Sequence, residues 1–351
     1  MKKKRFLVGI LLLLCLSLSL AGCEKKAAPY ERSGVVMDTV VTLSASGPEA
    51  KAAVDESFDR LAELEAMAST TIDTSDAARI KAAAGRDYVE VHPEIYHMLE
   101  VSQQYSELSQ GAWDITTGPL IELWGIGTDH QRLPAPEEVA AAQKLVDYHK
   151  LHLRAQDHSV MLEQAGMSVD FGGIAKGFAI DEIRKIYEAH GIQDGLINMG
   201  SSSIYGVGKN KDGKPWNIGI KHPRKEDKDA YLAIISLENT ALSTSGDYER
   251  CFIQDGRRYH HIFDPKTGYP ADHGVMSDTI VIDGSVPDSG MISDLLTTAV
   301  FVLGPAPGKA FLESLPGEIQ GEVTSSDFKV WCADGFEQKL QKLHKDFTIE
   351  K

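Results

Sequence analysis

Residues 242–270 read LSTSGDYERCFIQDGRRYHHIFDPKTGYP. Within this stretch the strand-like runs 250–254 and 258–262 flank Gln254-Asp255-Gly256-Arg257. An Asp-Gly pair supplies the two left-handed residues of a primed turn, whose twist matches that of paired strands, so a hairpin is predicted here. Lys211-Asp212-Gly213-Lys214 repeats the signal between strands predicted at 195–207 and 216–221. Hairpins impose antiparallel pairing. Working outward, further strands are predicted at 35–43, 150–154, 159–163, 231–237, 240–244 and 278–283. Helices are predicted at 48–68, where Val54, Phe58, Leu61 and Leu64 share a face, and at 93–109, 136–147, 174–190 and 291–303, several stopped by Gly111, Gly191 or Gly304-Pro305. The expected class is therefore α+β, with mixed, largely antiparallel sheets and packed helices, not a doubly wound parallel sheet. No repeat, linker or low-complexity run divides residues 34–351, which are read as a single domain.

Ahead of this body stand Lys2, Lys3, Lys4 and Arg5, an apolar run from Phe6 to Leu20, and Leu20-Ala21-Gly22-Cys23. The run is short for a spanning helix, and small residues before a cysteine match a bacterial lipoprotein signal, so residues 1–22 are read as a leader. Cys23 is then the expected lipidation site, with residues 23–33 as a polar tether. That places the protein outside the cytoplasm, anchored by lipid at the extracytoplasmic face of a bacterial membrane. The chain carries 51 acidic and 36 basic residues, net −15, and loss of the leader's four basic residues deepens this to −19. So acidic a body repels phosphate backbones, which argues against nucleic acid as a partner. Of the four cysteines only Cys251 and Cys332 remain for the folded body, too few for a disulfide framework, and whether they pair stays open.

Three segments carry chemistry or imitate it. Asp170-Phe171-Gly172-Gly173-Ile174-Ala175-Lys176-Gly177 follows a strand and opens a helix, where glycines allow close backbone approach and free amides attract anions. Lys176 in the first helical turn opposes the dipole unless an anion lies nearby. Gly206-Val207-Gly208-Lys209 is no phosphate loop, because neither Ser/Thr nor a helix follows the lysine. Asp294 and Thr298 are four apart on a predicted helix, so one face offers a carboxylate and a hydroxyl, a start for a magnesium site. The pairs His92/His97 and His149/His152 lack a third ligand and are read as surface. His260 and His261 are expected on opposite faces of a strand.

Together these segments resemble the ApbE family of FAD:protein FMN transferases along nearly the whole body. The carrying pieces are Met37-Asp38-Thr39, Gly111 to Leu120 with Leu123-Trp124-Gly125, Asp170 to Asp181, Trp216 to Ile220 with His222-Pro223, Ser243 to Tyr248, His261 to Pro265 with Thr267-Gly268, and Asp294 with Thr298. The resemblance implies a cleft between sheets and helices that holds flavin. In it FAD is split at its pyrophosphate, FMN passes to a threonine of a membrane electron-transport flavoprotein subunit, and AMP leaves, with Mg2+ assisting. Carried over by position, Asp294, Thr298 and the Gly173 carbonyl would hold magnesium. Met37, Ser69, Ala112, Trp113, Asp114, Lys176, Ser245 and Gly246 would contact FAD, Asp114 accepting from a ring or sugar donor. His261 would touch the transferred phosphoryl group and, with Asp294, carry catalysis by assisting removal of the threonine proton. The chain departs from the family pattern at Ser69-Thr70-Thr71, at Lys81 and at Asn198 to Ser202, which touches flavin fit and the protein-substrate side more than the metal. The same contacts would serve an FAD pyrophosphatase giving FMN and AMP. A flavin-binding lipoprotein without chemistry would need no metal, and the Asp294/Thr298 pair separates it from both.

Overall fold

The computed structural model describes residues 28–350, apart from 226, 228, 229 and 334. The leader and Cys23 lie outside the described residues. In chain order the strands are β1 (Tyr30–Val36), β2 (Thr39–Ala45), β3 (Val89–Glu90), β4 (Leu151–Arg154), β5 (Ser159–Leu162), β6 (Gly195–Met199), β7 (Ser203–Val207), β8 (Trp216–Lys221), β9 (Tyr231–Leu237), β10 (Thr240–Gly246), β11 (Cys251–Gln254), β12 (Arg257–His260), β13 (Val275–Asp283), β14 (Ile319–Ser325), β15 (Lys329–Cys332) and β16 (Thr348–Glu350). The helices are α1 (Ala50–Ala68), α2 (Asp76–Ala83), α3 (Pro93–Leu108), α4 (Gly118–Trp124), α5 (Pro136–Gln143), α6 (Ala175–Ala189), α7 (Ser289–Leu303) and α8 (Pro305–Glu313).

Nine strands form one sheet in the order β1-β2-β6-β7-β10-β13-β14-β15-β16. Its pairings are antiparallel except the parallel β15–β16 contact. Alternation along the strands divides the core. Ile280 and Ile282 of β13 join the cluster containing α1, α6 and α7, whereas Val281, with Leu242 of β10, faces the cluster built from β8, β9 and Phe336. The sheet is thus covered on both faces. A third cluster around Trp124 holds Tyr259 and Phe263 against α4 and α5, and the Trp124 indole N–H donates to the Gly268 carbonyl at 3.1 Å.

The β11–β12 hairpin forms with Asp255 and Gly256 both left-handed, as the Asp-Gly pair requires. The segment 195–207 is not one strand. Gly200 and Ser201 take φ of 70° and 62°, the Asn198 side-chain carbonyl accepts from the Ser201 N–H at 2.8 Å, and the chain reverses into the β6–β7 hairpin. Residues 30–33, read as tether, instead pair with 42–45 in the β1–β2 ladder, their polar side chains facing solvent on an edge strand. Met37 and Asp38, at φ of 54° and 55°, make the two-residue turn of that ladder. The strand expected to run to 262 stops at His260, so His260 and His261 are not alternating strand residues. The helix expected over 136–147 ends at Gln143, and α2, α4 and α8 had no periodic signal long enough to show in sequence.

Candidate active site

The site is set by the crossing of α6 and α7. A Cβ on Gly177 would lie 2.2 Å from the Gly290 carbonyl oxygen, and one on Gly290 would lie 2.5 Å from that of Gly177, so only paired glycines let the helices come this close. Asp181 of α6 then accepts the Gly290 and Met291 amides at 3.0 and 2.8 Å, satisfying the first turn of α7. One turn on, Asp294 of α7 is 5 % exposed. It accepts the Gly177 N–H at 3.0 Å and the Ser203 hydroxyl of β7 at 2.9 Å, and the Lys176 ammonium stands 3.6 Å away. Lys176 also donates to the Gly172 carbonyl at 2.8 Å.

Gly173 is the meeting point of the other expected metal donors. A Cβ there would lie 2.8 Å from the Trp113 ring and 3.1 Å from the Thr298 hydroxyl, so Asp294, Thr298, Gly173, Lys176 and Trp113 are gathered in one place. A carboxylate, a hydroxyl and a backbone carbonyl make an all-oxygen donor set, which fits a hard divalent cation. The buried Trp113 indole N–H has no partner among the described residues, as a donor kept for a ligand would be. Ser245 reaches the same helix, donating to Thr297 at 2.9 Å, while Gly246, next along β10, packs against the Tyr248 ring.

Asp114 proves chiefly internal. Its Oδ1 accepts the Thr116 N–H and hydroxyl at 2.8 and 2.6 Å, and its Oδ2 accepts the Tyr148 N–H at 3.0 Å. That leaves little capacity for the ring or sugar donor expected of it, and burial pushes its carboxyl above the ordinary aspartate range. It fixes the loop that carries Ala112, 3 % exposed, and Trp113. Met37 and Ser69 are joined through Glu65, whose carboxylate accepts the Met37 N–H at 2.9 Å and whose carbonyl accepts the Ser69 N–H at 3.0 Å. They reach the Asp294 group through the 199–203 turn, where Gly200 packs on Thr39 and Ser203 bonds Asp294.

His261 is half-buried, with its N–H and Nδ1 both on the Arg250 carbonyl at 3.1 and 3.2 Å. With Nδ1 donating, Nε2 is left as the bare acceptor. Burial, then the Arg250 guanidinium, pushes the ring's pKa down to about 3, so it is neutral at pH 7. His260 instead packs edge-on against Phe301, with Nε2 donating to the Ala271 carbonyl at 2.9 Å. The remaining paired histidines bond to carboxylates, His92 to Asp76 and His97 to Asp288, as surface residues do. Cys251 and Cys332 are free thiols.

Sequence reading missed several members. Ser203 donates a hydrogen bond to Asp294, yet nothing local marks it. Asp170, pushed upward by burial and opposed by Arg250 and Lys176, shares those cations with His261. Asp114-Ile115-Thr116 carried a usable signal, the Asp-x-Thr turn in which the carboxylate bonds its own backbone two residues on.

The ApbE family pattern matches residues 37–321. An FAD:protein FMN transferase of Treponema pallidum is 33 % identical, the match covering 98 % of each chain. One of Haemophilus influenzae is 31 % identical, covering 86 % of this chain and 88 % of the relative. Among solved structures, the ApbE protein of Thermotoga maritima superposes with a TM-score of 0.80 at 29 % identity, covering 90 % of this chain and 100 % of that one. The flavin transferase ApbE of Vibrio cholerae gives 0.79 at 28 %, covering 89 % and 99 %.

Proposed function

The chain belongs to the ApbE family, and on that premise we propose that it transfers the FMN moiety of FAD to a threonine hydroxyl of a target flavoprotein, releasing AMP with the help of Mg2+. One observation carries the reading: the convergence of Asp294, Thr298, Gly173 and Lys176 at the crossing of α6 and α7. Asp294, Thr298 and the Gly173 carbonyl would hold the magnesium ion, which when bound would neutralise charge on the pyrophosphate. Lys176 adds a second positive charge beside the phosphates. The Trp113 indole N–H donates to the bound nucleotide. His261 Nε2 accepts the threonine proton as the threonine oxygen bonds the FMN-side phosphorus and the bridging oxygen leaves with AMP. Export and lipidation at Cys23 set this chemistry at the extracytoplasmic membrane face, where the acceptor is a membrane electron-transport subunit.

Full-length chain incubated with FAD, Mg2+ and purified flavoprotein domains tests the reading. Mass spectrometry is expected to find an FMN adduct on threonine together with AMP. AMP and free FMN without an adduct on any domain would reduce the activity to FAD hydrolysis.

A further inference from the structure

Strand β8 pairs with β9, and among the described residues its other edge has no strand partner. The direction of its free groups follows from β9. Ile234 exchanges both backbone bonds with Gln341 on the far side, at 2.7 and 2.8 Å. The Gly219–Ile234 pair is therefore the type without ladder bonds, and the Gly219 N–H and carbonyl point out of the open edge. Alternation gives Asn217 the same outlook. A bulge at Ile220/Lys221 and the Lys221 charge guard only one end of this edge.

The open edge lines a groove whose opposite wall is Thr244 and Gly246 of β10, bounded by Ser201, Ser202 and Tyr248. The groove lies on the face of the sheet away from α7, at the same sheet end as the Asp294 group. Ser202 borders the groove, while the next residue, Ser203, bonds Asp294. Thr244 and Gly246 border it too, while Ser245 between them bonds Thr297. Groove and site are one residue apart across this rim. Among the described residues, the one cation lining the groove, Lys221, is already paired with Glu249 at 3.4 Å, so the groove offers outward backbone groups instead of charge. That chemistry suits an extended polypeptide.

We propose that the open edge of β8 receives the acceptor segment of the protein substrate as an added strand, with its threonine crossing the Ser202–Ser203 rim to the phosphates. The proposal rests on the transferase reading. It gives Ser201 and Ser202, where the chain departs from its family's pattern, a place beside the incoming segment.

The probe is a pool of ten-residue peptides, each with one central threonine and no proline, incubated with full-length chain, FAD and Mg2+. Gly219→Pro removes the outward N–H. Gly219→Ala is the matched control, because in both a Cβ meets the exposed Tyr231 ring at 2.4 Å. Peptide labelling by Gly219→Pro is expected to fall about threefold to tenfold below Gly219→Ala, the worth of one hydrogen bond, with FAD affinity unchanged. Asn217→Pro repeats the test at the next outward N–H should Gly219→Pro fail to fold. Equal labelling by the proline and alanine variants overturns the docking edge. A wild-type chain that releases AMP but labels no peptide overturns the transfer reading itself, a separate failure. A dimer lost only in the proline variants, seen by sedimentation, would give the edge to a second copy and overturn the proposal.

Discussion

Gly177→Ala sets two effects of opposite sign against each other. Replacing glycine by alanine inside a helix contributes about 1 kcal/mol of stability. At this position, however, the new Cβ would stand 2.2 Å from the Gly290 carbonyl oxygen and 2.7 Å from Asp294 Cβ. A carbon needs more than 3 Å from such an atom, so the helices must part by about 1 Å. Both obstacles are on a backbone or close to one, which puts the overpacking cost toward the upper part of its usual range, about 3 kcal/mol. The Gly177 N–H to Asp294 bond, 3.0 Å long, stretches as well, and bonds to charged groups are worth about 1.5–3 kcal/mol. The net expectation is a loss of about 2–4 kcal/mol by urea denaturation. Because Asp294 moves with α7, AMP release from FAD should fall about 100-fold even where the variant is fully folded. A variant about 1 kcal/mol more stable than the parent, with unchanged AMP release, would refute the account of the crossing.

Further outcomes follow from single groups. His261→Ala should slow FMN transfer by about 10²–10⁴ with FAD affinity unchanged by fluorescence titration, and an undiminished rate would remove the histidine from proton transfer. Since His261 is pushed down to about 3 and stays neutral above that, kcat/KM for AMP release should show no histidine limb between about pH 6 and 7; an inflection there that disappears in His261→Ala would contradict a neutral resting imidazole. Thr298→Val, nearly isosteric, should raise the Mg2+ concentration for half-maximal AMP release about tenfold, whereas Thr298→Ser should not. Glu322 is fully buried, and burial pushes its carboxyl up to about 7. The folded chain keeps a proton that the unfolded chain gives up near the ordinary glutamate pKa, so this contribution is present at low pH and lost as pH rises through about 7. Relative to Glu322→Gln, the parent should lose about 3 kcal/mol between pH 5 and 8 by denaturant titration, and parallel curves would refute the assignment.

The β11–β12 hairpin was legible because an Asp-Gly pair decides its turn within four residues, whereas the same signal at Lys211–Lys214 did not pair its flanking strands: β7 lies between β6 and β10, and β8 pairs with β9 in another sheet. Asp294 and Thr298 were legible for the same reason, since helical spacing is local. Where local signals conflicted the reading failed. The apolar run 195–207 concealed a turn at Gly200-Ser201, and polar residues 30–33 concealed an edge strand whose stability comes from its partner β2.

Sequence alone determined the antiparallel α+β character, the acidic body, the family and the shared helix face of Asp294 and Thr298, because each depends on neighbours close in the chain or on a motif in fixed order. Only the tertiary structure decided that Gly177 meets Gly290, that Ser203 holds Asp294, that Asp114 also accepts from Tyr148, and that β8 leaves an edge open beside the site. These are contacts between residues up to 113 positions apart, as Gly177 and Gly290 are. No periodicity records which glycine will face which, since that is settled by how two helices pack on one sheet.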